Sequence, residues 1–398
     1  MTTTEFPMTR TCPFSPPAEY AEIREGDPIS KVRVPDGRQA WVVSRHEDVR
    51  AVLNDRRFSS DRTHPDFPVL VTGGAQFRRP DQEKSMIALD APEHGPVRRA
   101  VLGEFTVRRM EALRPRIQEI VDERIDALLA GDRPADLVEA LSLPVPSLVI
   151  CEMLGVPYAD HDFFQAKTAT MLKRLVAPEE RRAAFDAVRT YLDELITKKE
   201  AAPEDDLLGR QIVKSREEGT YRHGVLVANA FLLLLAGHET TANMISLGTV
   251  ALLENPEQLE AIKADPGKTL AAVEELLRYF TIVDVATARL CVEDAEIGGV
   301  TIRAGEGVLA LGYSANRDPR AFEDPDRLDI DRGARHHVAF GFGPHQCLGQ
   351  NLARMELQIV FDTLFSRIPE LKLAAPVDEL PFKDDASIYG LYRLPVTW

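Results

Sequence analysis

The amino-acid sequence predicts a mainly α-helical protein with small β-sheets. Helical patterns fill most of residues 91–280 and return at 347–368, whereas short alternating segments are confined to about 30–60, 282–313 and 370–398. Length alone would allow two or three domains, but no linker-like or repetitive stretch divides the 398 residues. One domain comprising the whole chain, residues 1–398, is therefore expected.

The first part of the chain mixes short strands with one helix. Residues 31–44 alternate around Pro35-Asp36-Gly37, which is a turn signal between two strands, and a short helix is predicted at 46–54. Residues 61–86 show little periodicity and predict a long loop. Long loops in compact domains are typically lids or binding loops.

Further helices follow from their apolar periodicity. The join at 173–177, between two of them, is expected to lie over a pocket. A helix after the glycine-rich loop described below should end near Pro369. The other predicted helices cover residues 91–130, 136–154 with bends at Pro144 and Pro146, 160–171, 178–199 and 268–280.

The longest predicted helix, residues 223–254, is apolar nearly all round and should therefore be buried in the core. Gly237 and Thr240 are poor helix formers at its centre, and a Thr hydroxyl can bond the carbonyl one turn back. Glu239 is costly in these surroundings unless it is paired or used. An exposed Glu beside a packing Gly is the simpler alternative, but the flanks are too apolar for a solvated face.

Residues 340–349 read F-G-F-G-P-H-Q-C-L-G and run straight into a helical pattern. Gly341 allows a positive φ and the close approach of a flat object. Cys347 would lie at a helix N-terminus, where the helix dipole and free N–H groups stabilise a thiolate. A small buried cysteine in a turn is the commoner reading of a single Cys. The number of constrained positions in this one loop argues against it.

Composition excludes several classes of partner. A net charge of −15 argues against nucleic acid and against an anionic membrane surface. The four cysteines are far apart and indicate reduced thiols rather than a disulfide framework. The N-terminus has no apolar run, and residues 225–236 are too short to span a bilayer. A cytoplasmic monomer without membrane attachment is expected.

The loop at 340–349 resembles the haem-binding signature of the cytochrome P-450 superfamily. Residues 236–240, A-G-H-E-T, resemble the oxygen-activating motif of the same superfamily. The resemblance implies the cytochrome P-450 fold, with haem b between the long central helix and the Cys-loop helix and with Cys347 as the axial thiolate of the iron. His336-His337 and the P-V-T-W end are similar to a soluble actinobacterial branch that hydroxylates natural products and drugs.

The resemblance also assigns roles to single residues. Glu239 and Thr240 would deliver protons for dioxygen activation. Glu275, Arg278 and Arg327 would form a structural triad that supports the Cys loop, although Glu-x-x-Arg alone is weak evidence. For His94 and Arg98 the alternative is an exposed basic pair. The residues implied to bind the cofactor are His94, Arg98, Ala236, Gly237, Arg289, Phe340, Gly341, His345, Cys347 and Gly349, of which His94 and Arg98 would hold one propionate and Arg289 and His345 the other.

The implied reaction inserts one oxygen atom of O2 into a C–H bond. Electrons would come from NAD(P)H through a reductase and an iron–sulfur ferredoxin. This ferredoxin would dock on a basic patch formed by Arg98, Arg99, Arg335 and Arg354. A peroxide-driven peroxygenase and a non-catalytic haem-binding sensor or recruiter are the alternatives. The pair of Glu239 and Thr240 speaks against both.

The substrate is expected to be a sizeable hydrophobic small molecule, such as a polyketide, a steroid or secosteroid, a statin-like acid or another xenobiotic, because the candidate pocket walls are apolar. These walls include the loop at 74–89 and the segment 171–176. Arg78, Arg79, Lys173 and Arg174 could meet a carboxylate, although solvated charges are the preferred interpretation. The individual pocket residues predicted are Ile87, Leu232, Leu233, Val283, Val285 and Ile388.

Overall fold

The computed structural model of the protein describes residues 4–71, 82–283 and 285–398, and the side chain of Val285 lies outside the described part. Arg78 and Arg79 also lie outside it, together with residues 74–81 of the predicted pocket loop at 74–89. The fold is mainly helical with small sheets, as predicted.

Helices are the main secondary structure of the described chain. They include those predicted at 160–171 and 178–199 and the long central helix, whereas the helix predicted at 91–130 is divided into two. The helices are α1 (Ala18–Glu25), α2 (His46–Asn54), α3 (His94–Leu102), α4 (Val107–Ala130), α5 (Pro144–Leu154), α6 (His161–Leu172), α7 (Pro178–Ala201), α8 (Leu207–Glu217), α9 (His223–Leu253), α10 (Pro256–Ala264), α11 (Thr269–Phe280), α12 (Gly312–Ala315) and α13 (Gln350–Arg367).

Three small sheets accompany the helices. The largest has six strands in the order β1-β2-β3-β9-β6-β4, a second has three in the order β10-β11-β5, and β7 pairs with β8. The strands are β1 (Thr4–Glu5), β2 (Ile29–Arg33), β3 (Gln39–Val43), β4 (Phe58–Ser59), β5 (Ala135–Asp136), β6 (Ala288–Cys291), β7 (Ala295–Ile297), β8 (Val300–Ile302), β9 (Gly307–Ala310), β10 (Lys372–Leu373) and β11 (Pro395–Thr397).

The central helix α9 is the core of the helical part. It packs against α5, α7, α11 and α13, and most of its side chains from Leu226 onward are buried. Its length and composition would suffice to cross a membrane, but 61% of its most apolar window is already buried inside the protein. Tertiary packing thus accounts for its hydrophobicity.

Several elements differ from the prediction. The segment 136–154 is not a helix bent at its prolines, because a π turn covers Val138–Ser142 and α5 begins at Pro144. Leu143 N–H donates to the Val138 carbonyl, five residues back. A proline has no N–H to continue the α pattern, so the chain changes its winding before Pro144. Helices α1, α8 and α10 were not predicted.

Candidate active site

The Cys loop (residues 340–349) is closed by a hydrogen bond from the Cys347 N–H to the Phe340 carbonyl, 2.8 Å. Gly341 and Gly343 both have φ = +71°. A Cβ on Gly343 would also lie 2.7 Å from the Leu53 carbonyl oxygen, so this position requires glycine on two grounds. The loop thereby holds Cys347 immediately before α13, which begins at Gln350.

The Cys347 sulfur has a mixed electrostatic environment. Burial raises the pKa of its thiol, whereas the Gly349 N–H, which donates to the sulfur, and the guanidinium groups of Arg98 and Arg354 act in the opposite direction. Donors and cations around a sulfur are what a metal-bound thiolate requires. The surroundings of Cys347 therefore suit a thiolate ligand.

Helix α9 presents an accessible strip in an otherwise buried region. Leu232, Ala236 and Thr240 follow one another at intervals of four residues and all keep accessible surface, whereas most of their neighbours are buried. The Thr240 hydroxyl donates to the Ala236 carbonyl, 2.8 Å. Small and polar groups on this strip leave space beside a core helix.

Gly237 has the packing role that the sequence analysis gave as the alternative. A Cβ at this position would lie 2.9 Å from Cγ1 of Ile150 on α5. The missing side chain therefore lets α5 and α9 approach each other closely. Of the neighbours Ala236 and Gly237, Ala236 is the residue on the accessible strip.

Four predicted cofactor residues come together from three separate segments. The rings of His94 and His345 lie against each other with their centroids 4.1 Å apart and their planes tilted by 32°. Arg98 donates to the Gln346 carbonyl, 2.6 Å, and Arg289 donates to the Ala288 carbonyl, 2.8 Å. The alternative of an exposed pair at His94 and Arg98 is excluded, because His94 is buried and Arg98 half-buried.

Burial and the neighbouring cations disfavour the protonated forms of these groups. Burial, together with His94 and Arg289, lowers the pKa of His345 to about 3. Burial and the neighbouring Arg62 lower the pKa of Arg289 to about 10. Burial and Arg98 lower the pKa of His94. All three pKa values are lowered for the same two reasons, which are burial and the closeness of other basic side chains.

Arg62 belongs to the same group, although it was not predicted. Its Nη2 donates to the Ala286 carbonyl, 3.2 Å. Its side chain keeps accessible surface. Because desolvation nevertheless lowers the pKa of its guanidinium, this accessible surface faces a space inside the protein. A single arginine in an irregular segment carries no pattern that sequence reasoning could have used.

The residues present fit a flat, dianionic, metal-containing cofactor. The Nε2 atom of His94 is buried without a hydrogen-bond partner in the described part of the chain. The nearby carboxylate of Asp90 already accepts hydrogen bonds from the Ser59 hydroxyl and the Ser60 N–H. Carboxylates from a ligand would therefore complete this wall, and Cys347 and the α9 strip would flank the ligand.

Comparison with known proteins decides the identity. The cytochrome P450 family profile matches residues 24–266 and 268–385. The chain belongs to the cytochrome P450 family. It is a haem-thiolate monooxygenase, and its cofactor is haem b.

Similar P450s come from actinobacteria. The chain is 51% identical to pentalenic acid synthase of Streptomyces avermitilis over 99% of this chain and 97% of that protein. It is 47% identical to vitamin D3 dihydroxylase of Streptomyces griseolus over 99% and 95% of the two chains. The crystal structure of cytochrome P450 MoxA from Nonomuraea recticatena, a CYP105 protein, matches with a TM-score of 0.91, 62% identity and 99% and 98% coverage. The predicted actinobacterial branch is thus confirmed.

The structural triad of this P450 contains Arg332 rather than Arg327. Glu275 and Arg278 are fully buried and joined by two hydrogen bonds of 2.8 Å, as predicted. The third side chain is that of Arg332, whose Nε lies 3.1 Å from Oε1 of Glu275. Arg327 is exposed and contributes only its carbonyl, which accepts from Arg278 and Arg332. The turn between the two arginines, and not their spacing, determines which side chain reaches Glu275.

The position of Arg354 also differs from the prediction. It was predicted to lie on a basic docking patch, but Glu274 holds it with a 2.5 Å ion pair. Burial opposes ionisation of Glu274, yet hydrogen bonds from His337 and Arg354 outweigh it and lower its pKa to about 2. The Arg354 guanidinium lies 4.6 Å above the Phe340 ring and so supports the Cys loop from behind. Arg99 and Arg335 remain exposed.

Of the predicted pocket residues, Leu232 is the one on the accessible strip of α9. Ile87 and Val283 are half-buried, whereas Leu233 and Ile388 are buried in the helical core. The side chain of Val285 lies outside the described part. The pocket wall thus stays a prediction for all six positions.

Glu356 on α13 was overlooked by the sequence reading. Its side chain is buried and Oε2 has no partner among the described residues. Burial alone raises its pKa to about 8, so the carboxyl is largely protonated at neutral pH. A glutamate at a helical position has no feature in the sequence that marks it as buried.

Proposed function

We propose that this P450 hydroxylates a large hydrophobic molecule bound beside Leu232, Ala236 and Thr240, and that Glu239 and Thr240 supply the protons. The observation that carries the proposal is the accessible strip on a buried helix, with an acidic residue next to Thr240 in the sequence. When bound, the thiolate-ligated haem iron supplies the chemistry that activates dioxygen. The chain itself provides the apolar wall, the hydroxyl and the acid.

Each residue has one task in this scheme. Cys347 would ligate the iron, and His94, Arg98, Arg289, His345 and Arg62 would hold the carboxylates of the haem. The Thr240 hydroxyl, which now donates to the Ala236 carbonyl, can turn to donate toward the haem side. Glu239 would pass protons to this hydroxyl.

We infer the substrate class from apolar lining and from the relatives. Vitamin D3 dihydroxylase acts on vitamin D3, and two further related crystal structures hold mycinamicin VIII and filipin I. These ligands are large and mainly apolar. A polyketide or secosteroid suits the strip better than a small polar metabolite. We further propose a cytoplasmic, monomeric enzyme that receives electrons from a ferredoxin and its NAD(P)H-dependent reductase.

An optical titration tests the class of substrate. Ferric holoprotein is titrated with vitamin D3, filipin I and mycinamicin VIII, and a shift of the Soret band toward high spin reports displacement of water from the iron. Binding of at least one compound is expected. A reduced, carbon monoxide-treated protein without the thiolate-type band would instead remove Cys347 as the ligand, and with it the proposal.

Replacing Thr240 by Ala tests the proton delivery. T240A should still bind the identified compound but should release most reducing equivalents as hydrogen peroxide, because the hydroxyl that orders the proton path is gone. A drop of roughly tenfold or more in product formed per NADPH is expected, in the range of general acid–base effects. Thr249, a buried hydroxyl that donates to the Ile245 carbonyl two turns further along α9, is the matched control as T249A. Unchanged coupling in T240A would refute the assigned role.

A further inference from the structure

The carboxylate of Glu239 does not bond to Thr240 in this structure. Its Oε2 accepts from Nζ of Lys383 at 3.2 Å and from Nδ2 of Asn243 at 3.3 Å. The side chain is buried, and Thr240 donates to the Ala236 carbonyl instead. Glu239 is therefore held on the side of α9 that faces away from the accessible strip.

Lys383 comes from the C-terminal hairpin, which we define as residues 382–391. Phe382 pairs with Leu391, and the Lys383 N–H donates to the Gly390 carbonyl, 2.8 Å. The hairpin sits directly on α9, because a Cβ on Gly390 would lie only 1.9 Å from Oδ1 of Asn243. Glu239 thus contacts Lys383 on one strand of the hairpin, and Asn243 adjoins Gly390 on the other strand.

The other side of the C-terminal hairpin is tied to the connection between α6 and α7. Ser387 N–H donates to the Leu172 carbonyl, 2.8 Å, and Arg174 N–H donates to the Asp385 carbonyl, 2.6 Å. The hairpin consequently bridges α9 and the segment that was predicted to lie over the pocket. A shift of that segment would be transmitted to Lys383 through backbone hydrogen bonds.

Lys383 also reaches solvent. A cleft between the N-terminal segment, the α6–α7 connection and the C-terminal hairpin is lined by Arg10, Arg174, Lys383, Asp384 and Tyr389, among others. Lys383 is therefore the residue that connects this cleft with the buried Glu239.

The other charged groups near Glu239 do not replace Lys383. His238 is buried, and its Nε2 lies 3.1 Å from the Thr168 hydroxyl of α6. Burial lowers its pKa, so it is neutral at neutral pH. Tyr392 donates to Asp385 at 2.6 Å and adds no positive charge. In the described part of the chain, Lys383 is the cation that compensates Glu239.

We propose that Lys383 is a positioning residue that holds the Glu239 carboxylate beside the solvent cleft, so that protons enter the site along the C-terminal hairpin. In each transfer a hydronium ion in the cleft gives its proton to the Glu239 carboxylate. The protonated Glu239 side chain then turns from Lys383 toward Thr240 and donates its O–H to the Thr240 oxygen. The Thr240 hydroxyl proton moves to the reacting oxygen, and the Glu239 carboxylate returns to Lys383. The inference rests on the proposed role of Glu239 and Thr240.

The decisive measurement uses dioxygen itself as the probe. Full-length holoprotein receives electrons from NADPH through a plant-type ferredoxin and its reductase, without an organic substrate, and hydrogen peroxide per NADPH is measured from pH 5 to 9. Removing a cation 3.2 Å from a buried carboxylate disfavours the charged form, so K383M should move the midpoint of this activity profile toward higher pH by roughly one unit or more. K383R should restore the wild-type profile. K372M, at an exposed lysine on β10, is the control.

Two further variants keep the outcome interpretable. G390A leaves both charges in place but forces the C-terminal hairpin off Asn243, and it should shift the profile in the same direction as K383M. E239Q should remove the pH-dependent component, and K383M should add nothing to it. An unchanged profile in both K383M and G390A would overturn the inference.

The inference and the proposed function fail in different ways. If the wild type oxidises no NADPH and lacks the carbon monoxide band, the proposed function fails. The ion pair is tested independently by the melting temperatures of K383M, E239Q and the double variant. If the decreases in melting temperature of the two single variants do not add up to that of the double variant, Lys383 and Glu239 interact. Additive losses would overturn the inference whatever the enzyme does.

Discussion

Glu356 shows how much a single residue can contribute to pH dependence. Its carboxyl group is buried on α13, and burial raises its pKa to about 8 from an ordinary value of 4.5. Between these values the unfolded chain releases a proton that the folded chain retains. The free energy of unfolding therefore falls as the pH rises from 4.5 to about 8.

E356Q should remove this component. The difference in free energy of unfolding between E356Q and wild type should change in favour of E356Q by up to about 4 kcal/mol from pH 4.5 to pH 8. Each pKa unit is worth about 1.4 kcal/mol. Urea unfolding of the holoprotein at both pH values measures the change. E370Q, at an exposed position, is the control and should leave the dependence as it is. An identical pH dependence in E356Q and wild type would contradict the prediction.

Arg62 can be tested at the same scale. R62Q removes one of the guanidinium groups proposed to hold the haem carboxylates, while retaining polarity and most of the volume. Haem transfer to apomyoglobin should be several times faster than from wild type, because a charge-assisted contact is lost. R56Q changes an exposed arginine of the same segment and should leave the transfer rate unaltered. Equal rates for R62Q and wild type would show that Arg62 holds no haem carboxylate.

At the scale of elements, the triad links α11 to the segment before the Cys loop. R332A breaks a contact with a fully buried carboxylate and should cost about 3 kcal/mol of stability. R327A removes an exposed side chain whose carbonyl remains in place, and should cost less than about 0.5 kcal/mol. Urea unfolding and retention of the carbon monoxide band compare the two. A reversed order of stability would restore the assignment made from the sequence.

This pair of arginines shows what sequence could and could not predict. The Cys loop, the apolar central helix and the Glu275–Arg278 pair are local features, and their placement followed from short-range patterns. Arg332 and Arg327 lie in the same segment, so only the three-dimensional path of the turn distinguishes them. Lys383 and Glu239 are 144 residues apart, and no local pattern connects them. Long-range polar contacts were therefore the part that sequence reasoning missed.

At the scale of the whole molecule, charge distribution should govern electron delivery. The chain carries a net charge of −15, yet Arg99 and Arg335 are exposed on segments that adjoin the Cys loop. An acidic ferredoxin would be attracted to this region and repelled elsewhere. The proposed docking surface therefore consists of Arg99 and Arg335, without Arg354.

R99E should lower ferredoxin-driven NADPH oxidation several-fold at low salt, and the difference from wild type should shrink as sodium chloride approaches 0.5 M, because salt screens exposed charges. K198E reverses an exposed charge on α7 and serves as the control. Turnover supported by hydrogen peroxide should be the same in all three proteins. A salt-independent defect in R99E would indicate damage to the fold and not to docking.

The wall formed by His94, Arg98, Arg289, His345 and Arg62 also bears on how a cell produces this enzyme. These side chains repel one another when protonated, and the described chain places no free carboxylate among them. A dianionic ligand relieves that repulsion, so every tenfold rise of free haem above its dissociation constant adds about 1.4 kcal/mol to the stability of the folded form. The yield of folded enzyme should accordingly follow the haem supply. An iron-starved culture would lose the polypeptide to proteolysis instead of storing it for later loading.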